Sequence, residues 1–313
     1  MDIKKLERKQ SSLKNIHTLV ESKRDVTLIK IFKLSKRFEY FYTRGIESKY
    51  LLDILHQKYN LNNSFYEEYE PSKNKLINLT LDKVENVFFE AKKRLWIYVT
   101  ETQNAAADNY SRYDRAILKQ ENVHEDQFIV IGEHAKKFCD KNKLQVVAYY
   151  PENNFKELSQ TIPEIIRLKI EAGDIGHVNF VINSNKIKNK FLKILPIKEF
   201  ELDTSYYENK INIIQDIDRY KLYKNLQEFI VNEISSYLRN VVTSLLVESS
   251  LIIAKNNLVK YNKTISDLDE TLINLRREIL KQKREIEIQE LQMLTRSNES
   301  LVKMDSKKDG DMD

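Results

Sequence analysis

Five histidines, one cysteine and a scatter of carboxylates are the groups through which this chain could do chemistry. The histidines are His17, His56, His124, His134 and His177. They share no metal-binding spacing, and no His-x-x-x-His pair would sit on one helix face. Cys139 stands alone, which excludes intramolecular disulfides and cysteine-based zinc centres. Beside Phe138 in a helical pattern it reads as a packed thiol rather than a nucleophile. Phosphate chemistry needs glycines that let the backbone approach an anion. The one strand-turn-helix stretch where such a loop could stand, Gln103–Asp108, contains none. Gly132 and Gly173 are isolated, and Gly132-Glu133-His134-Ala135-Lys136 is not a Walker sequence. No catalytic residue, cofactor site or metal site is therefore expected, and the chain is expected not to be an enzyme by itself.

Nucleic acid is not implied either. Fifty-two basic and 47 acidic side chains leave a formal charge of only +5 over 313 residues, a mixed surface rather than a basic face. The aromatic run Phe38-Glu39-Tyr40-Phe41-Tyr42 reads as packing at the base of a coil, not as a base-stacking platform. The first residues lack the apolar core of a signal peptide. No run approaches the ~18–20 uninterrupted apolar residues of a membrane span. One cysteine fits a reducing, cytoplasmic setting.

With chemistry this sparse, the elements themselves become the content of the sequence. Five Gly and four Pro allow few tight corners. From Ile3 to Tyr59 there is no Pro and one Gly, Gly45. Leu6, Leu13, Val20, Ile31, Leu34, Phe38 and Phe41 recur at helical spacing, which predicts an N-terminal helix over 1–59. A helix of that length would extend ~80 Å and needs an elongated partner. From Ile211 to Asn298 there is neither Gly nor Pro. Leu251, Ala254, Leu258, Tyr261, Ile265 and Leu268 begin a stripe that continues through Leu272, Leu275, Ile279, Gln282, Ile286, Gln289 and Met293. Steps of three and four alternate throughout, the 3.5 repeat of a left-handed coiled coil. Gln282 and Gln289 alone break the apolar seam, so this end is expected to leave its partner. Residues 299–313 read as a polar, disordered tail.

Between the helices, residues 76–200 change character. Leu95–Val99, Phe128–Ile131, Val146–Tyr149 and Val178–Ile182 are short β-branched and aromatic runs. Helical stretches over Arg112–Gln120, His134–Asn142 and Pro163–Ala172 alternate with them, which predicts a mostly parallel sheet in a Rossmann-like α/β domain. The fold class expected is α with α/β: a long antiparallel coiled coil of the N- and C-terminal helices plus this central domain, seated where the chain leaves one helix and returns into the other.

Four motifs stand in order on this frame, and together they resemble the gamma subunit of F-type ATP synthases. Ser12-Leu13-Lys14-Asn15 is similar to the family's Ser-(Val/Ile)-Lys-Asn. Leu95–Thr100 with Glu101–Tyr110 resembles its first strand and the following loop. Leu195-Pro196-Ile197 matches the Leu-Pro-(Leu/Ile) that ends its sheet domain. Arg284-Glu285-Ile286-Glu287-Ile288-Gln289-Glu290-Leu291 looks like its Arg-Gln-Ala-(Ser/Ala)-Ile-Thr-Gln-Glu-Leu signature, with Arg284, Ile288, Glu290 and Leu291 coinciding in spacing. The resemblance spans roughly residues 2–297. The family's Thr-x-Lys-Ile-Thr-Lys-Ala-Met run is eroded to Ile16–Lys23, its glycine-rich loop has lost every glycine, and this chain runs about 20 residues beyond Leu291. These departures mark a divergent paralogue.

The resemblance implies a non-catalytic central shaft in a ring of three alpha-type and three beta-type ATPase subunits. It also implies epsilon- or delta-like, or motor-specific, stalk proteins as partners. Membrane contact would be only indirect, and the location cytoplasmic at the inner face of the cell membrane. Some wall-less, AT-rich bacteria carry extra F-type-like gene sets whose motors serve other ends, gliding motility among them. Ring contact is implied for Arg284, Ile288, Gln289, Glu290 and Leu291, and attraction to acidic beta-type loops for Lys14, Lys23 and Arg24. A solvated helix face is the plain alternative for each. For the whole chain the alternative is a non-rotary coiled-coil adaptor or scaffold. A small-molecule enzyme built on the α/β domain has no motif to support it.

Overall fold

A computed structural model describes residues 3–59, 93–100, 107–184, 190–200 and 226–308. The elements in chain order are α1 (Ile3–Tyr59), β1 (Arg94–Val99), α2 (Ala107–Leu118), β2 (Gln127–Ile131), α3 (Glu133–Lys141), β3 (Gln145–Tyr150), α4 (Phe155–Glu171), β4 (His177–Val181), β5 (Leu192–Leu195), a 3-10 turn (Ile197–Glu199) and α5 (Leu226–Lys308). The expected architecture is the observed one: two long helices, of 57 and 83 residues, pack on each other, and a central α/β sheet lies between them in the chain. The chain divides into two compact units, one of Met1–Ile29 with Lys255–Asp313, the other of Lys30–Ala254.

In the Lys30–Ala254 unit the strand order is β3-β2-β1-β4-β5. β1 pairs in parallel with β2 and β4, and β2 in parallel with β3. β5 runs antiparallel to β4, a strand that the sequence reading treated only as the end of the domain. Successive side chains of a strand point to opposite faces; in β1, β2 and β4 both faces are dry, whereas the edge strand β3 alternates exposed with half-buried residues. Leu95, Ile97 and Val99 enter a core shared with α4, with α1 from Leu34 to Leu55 and with α5 from Ile230 to Ala254. Trp96 and Tyr98 enter a second core beneath α2 and α3. Strands buried on both sides read as continuous apolar runs, which is why β1, β2 and β4 were legible; β3 was legible from its β-branched and aromatic residues. Each fully buried Leu, Ile or Phe in these layers contributes ~1.5–3 kcal/mol through removal from water.

Polar anchors hold the layers in register. Asp126, almost fully buried, accepts hydrogen bonds from the Arg94 backbone N–H at 3.0 Å, from Arg94 Nε at 2.9 Å and from Trp96 Nε1 at 2.8 Å. Tyr237 in α5 donates to the Ile194 carbonyl at 3.0 Å, and Lys49 in α1 donates to the Phe200 carbonyl at 2.7 Å. Gly45 lets α1 approach α5 within this core. A Cβ there would lie 2.9 Å from Val241 Cγ2.

Several boundaries differ from expectation. α4 begins at Phe155 and carries Pro163 inside it, whereas the sequence reading started the helix at that proline. Leu158, Ile162, Ile166 and Ile170 are all buried, and this spacing of four holds the helix through the missing proline N–H. α5 continues past Asn298 to Lys308, where a disordered tail was expected. Neither Gly nor Pro occurs between Leu226 and Gly310, so no helix breaker stops α5 earlier. An 18-residue window of α5 is apolar enough by composition to cross a membrane, and 72% of it is buried inside the protein. The expected break at Asn60–Ser64, the start of the domain at residue 76 and the start of the last helix at Ile211 lie outside the described residues. So does most of the Gln103–Asp108 loop, whose last two residues open α2.

Candidate functional site

In the other unit α1 and α5 pair antiparallel. Leu6 packs on Leu275 and Ile279, with Leu13 against them. Glu7 meets Lys283 at 2.8 Å, and His17 Nε2 lies 3.0 Å from Asp269. These contacts fix the direction and register of the pair. Along α5 every residue of the 3.5 repeat from Tyr261 to Gln282 is more enclosed than the residues flanking it on the outer faces, and Leu275 and Ile279 are buried. The seam drawn from spacing is therefore the seam that packs.

The partner stripe on α1 is less apolar than the sequence reading allowed. Ile3, Leu6, Gln10, Leu13, His17, Val20, Arg24 and Thr27 follow steps of three and four, and all are partly or fully enclosed. Four of the eight are polar. His17 reaches carboxylates on both helices: Nδ1 is 3.3 Å from Glu21 of its own helix. Arg24 turns its guanidinium onto Asp25 at 2.9 Å. The heptad spacing from Leu6 carries this stripe, which its apolar residues alone do not mark. Polar seam positions weaken the packing and favour one register over its neighbours. Replacing Leu268 with Asp, which sets a charge in the seam beside Asp269, should lower the stability of the coil by ~2 kcal/mol. Ile273→Asp, on an outer face that is 52% exposed, should change it by less than about 0.5 kcal/mol. Circular-dichroism melts of the two variants would check the difference.

The eight ring-contact candidates fall into two groups. Lys14 and Lys23 are exposed and Arg24 is half-buried, all on the paired part of α1. Arg284, Ile288, Gln289, Glu290 and Leu291 lie on α5 beyond Lys283, the last residue that meets α1 in an ion pair, and every one is exposed. The register set by Glu7 and Lys283 places Lys14 ~12 Å along the axis from Arg284, so the two groups form separate levels and not one site. From Lys283 to Thr295 each residue of α5 is exposed, including Ile286, Ile288, Leu291, Met293 and Leu294. The helix goes on alone, as the polar seam residues Gln282 and Gln289 foretold. Gln282 still belongs to the pair: it is half-enclosed, with Oε1 buried.

The α/β domain holds one cluster of titratable side chains that merits comparison with an active site. Tyr98 donates to Asp114 at 2.6 Å, and His134 Nε2 lies 3.0 Å from the other Asp114 oxygen. The Tyr110 ring lies 5.0 Å from the His134 ring. Burial, then the Asp114 carboxylate, pushes the Tyr98 hydroxyl far above the usual phenol range. Cys139 is pushed up to about 12, first by burial and then by Asp140 and Asp114, which keeps it a thiol. The cluster pins α2 to β1 and α3. The α3 N-terminus, the place where a strand-turn-helix unit would bind phosphate, is already used: Thr100 Oγ1 accepts from the Ala135 N–H at 3.0 Å. Among the described residues no group of three or more His, Cys, Asp or Glu side chains could hold a metal ion.

The fold and this surface define a two-helix antiparallel coil joined to a five-stranded α/β domain. No family model matches the chain. It is 35% identical over 300 residues, 95% of each chain, to the uncharacterized protein UU050 of Ureaplasma parvum serovar 3, and it belongs to the same family as that protein. Among solved structures it is similar to a chain of the rotor of the Euglena gracilis mitochondrial ATP synthase in rotational state 1, with TM-score 0.45 and 12% identity over 91% of this chain and 98% of that one. A chain of the same organism's OSCP/F1/c-ring assembly in rotational state 3 gives TM-score 0.39 and 12% identity over 95% of each.

Proposed function

We propose that this chain is the central shaft, a gamma-type subunit, of an F-type-like rotary ATPase. The observation that carries the reading is the bare continuation of α5 beyond the start of α1. The residues that resemble the gamma signature, Arg284–Leu291, lie on that lone helix and expose their apolar side chains to whatever surrounds it. An adaptor that used only the paired coil would have no need of such an extension.

The mechanism asks for stiffness rather than side-chain chemistry. An asymmetric coil inside a ring of three alpha-type and three beta-type subunits makes the three catalytic sites differ at any instant. ATP hydrolysis in the ring changes which orientation of the coil is most stable, and the coil turns. The α/β domain hands the torque to epsilon- or delta-like or motor-specific stalk proteins toward the membrane. The chain itself performs no catalysis and works in the cytoplasm, at the inner face of the membrane. The motor serves a specialised end such as gliding motility rather than ATP synthesis.

Affinity purification from the native cell, with identification of every associated chain, tests this. Nucleotide-binding ring subunits should be recovered with the chain. The isolated chain should show no stoichiometric Mg-ATP binding by titration calorimetry, because the loop after β1 has no glycine. Recovery as a free homodimer or with coiled-coil partners alone would replace the shaft by the adaptor reading.

A further inference from the structure

In an open α/β sheet, ligands bind outside the carboxyl ends of the strands, at the point where the strand order reverses. Here that point lies between β1 and β4. The chain leaves β1 through α2 to β2 on one side, then comes from β3 through α4 to β4 on the other. α2 packs on the face that carries Trp96 and Tyr98, and α4 on the face that carries Leu95, Ile97 and Val99. The two helices therefore diverge on opposite faces, the arrangement that opens a crevice at the strand ends.

Arg112 of α2 reaches this point. Tyr98 pairs with Val181 across the two strands, so Asn183 stands at the level of Thr100, just beyond the end of β1. Arg112 Nη2 donates to Asn183 Oδ1 at 3.1 Å and to the Tyr113 hydroxyl at 2.7 Å. The Tyr113 hydroxyl donates in turn to the same Asn183 oxygen at 3.2 Å. The guanidinium lies 4.7 Å from the centre of the Tyr113 ring. Arg112 is exposed and Tyr113 is buried, so a fixed ring supports a charge that faces water.

Everything that holds Arg112 is neutral. Arg94 meets Asp126, and Arg167 meets Glu164 and Glu171. Among the described residues no carboxylate pairs with Arg112. Asp114, two residues on, spends its oxygens on Tyr98 and His134. Nε and Nη1 of Arg112 donate to no acceptor among the described residues. Two donors converge on Asn183 Oδ1, which orients the amide, and its Nδ2 has no acceptor among the described residues. A positioned guanidinium fork beside an amide donor is suited to grip an oxyanion through two oxygens.

We propose that Arg112 and Asn183 form a binding site for one small oxyanion, a phosphate or a carboxylate. One cation without a glycine loop serves a single oxyanion, not a triphosphate with its magnesium ion. The bound anion ties α2 to the end of β4 and stabilises the α/β domain by mass action. The site lies wholly within that domain, and its chemistry is independent of the shaft reading.

Titration calorimetry of the purified full-length chain tests this, with sodium phosphate and sodium succinate as probes and sodium chloride as the control at matched ionic strength. One site per chain is expected for at least one oxyanion, with Kd on the order of 1 mM, the equivalent of two or three charge-assisted hydrogen bonds. The probe that binds tells phosphate from carboxylate. Arg112→Gln should weaken binding at least about tenfold, and Asn183→Ala about tenfold. Arg115→Gln should leave it unchanged, because Arg115 is exposed and bonds only the Ser111 carbonyl of its own helix. The bound oxyanion should raise the melting temperature of the wild type and not that of Arg112→Gln. If Arg112→Gln itself melts early, Arg112→Lys decides: it keeps the charge without the fork, and wild-type affinity there overturns the fork. No saturation by either probe up to ~20 mM, where such a site is nearly full, overturns the site. Equal losses from Arg115→Gln and Arg112→Gln overturn it in favour of diffuse charge. Mg-ATP bound more tightly than phosphate overturns the single-oxyanion assignment.

Discussion

Deleting residues 284–313 should leave the coil folded and weaken its hold on the ring by at least about a hundredfold. The ion pair and packing that join α1 to α5 end at Lys283, so the cut removes only the lone part of the helix. That part carries Ile286, Ile288, Leu291, Met293 and Leu294, all exposed in the isolated chain. If the bore of a ring covers them, each contributes about 1 kcal/mol or more, and three such contacts already amount to about a hundredfold in affinity. Ring affinity, ATP turnover and torque of the reconstituted motor check this. Removing residues 299–313 should leave all three near wild type, because the signature and the exposed apolar side chains precede the cut. A motor cut at Lys283 that binds and turns as well as the complete one would show that the lone helix is not the contact.

The second large effect lies far from the coil. Gly132→Val should destabilise the α/β domain by about 3 kcal/mol or more. Gly132 has φ near +92°, a conformation that side chains with a Cβ rarely adopt. A Cβ would stand 2.3 Å from the Thr100 carbonyl oxygen and 2.7 Å from its hydroxyl. Thr100 cannot yield, since its hydroxyl donates to the Ile131 carbonyl at 3.0 Å and accepts from Ala135 at the start of α3. The side chain would pry the end of β1 from β2 and from α3 together. Urea unfolding of the full chain gives the measurement. Gly45→Ala should cost less, because its closest neighbour, Val241 Cγ2, is the end of a side chain and not backbone.

Both residues illustrate how far the sequence reached. Residue pattern alone located α1, the seam of α5 and four strands: a 3.5-residue repeat for a coil, an unbroken apolar run for β1, β2 and β4, which are covered on two faces, and β-branched and aromatic content for the edge strand β3. Such patterns are written locally. The absence of glycine in the loop after β1 was likewise a local fact. Gly132 was seen only as isolated, since the atoms that would crowd a side chain there belong to Thr100, just past the end of β1. β5 was missed because Leu192–Leu195 is four residues long and becomes a strand by pairing with β4. α4 was shortened because proline is a local stop signal, whereas Leu158, Ile162, Ile166 and Ile170 are anchored by a core that the sequence does not display.

The candidate contact residues divide in the same way. Arg284–Leu291 could be named from order and spacing, and Gln282 and Gln289 marked where the seam would fail. That Lys14 and Arg284 stand at different levels depends on the register of two segments about 270 residues apart in the chain. By itself the sequence determined which residues form each helix and which side of it is apolar, because helical periodicity acts over a few residues. Only the tertiary structure decided what each side faces: Glu7 against Lys283 fixes the register, and the register decides which residues of α5 pack on α1 and which run past its start.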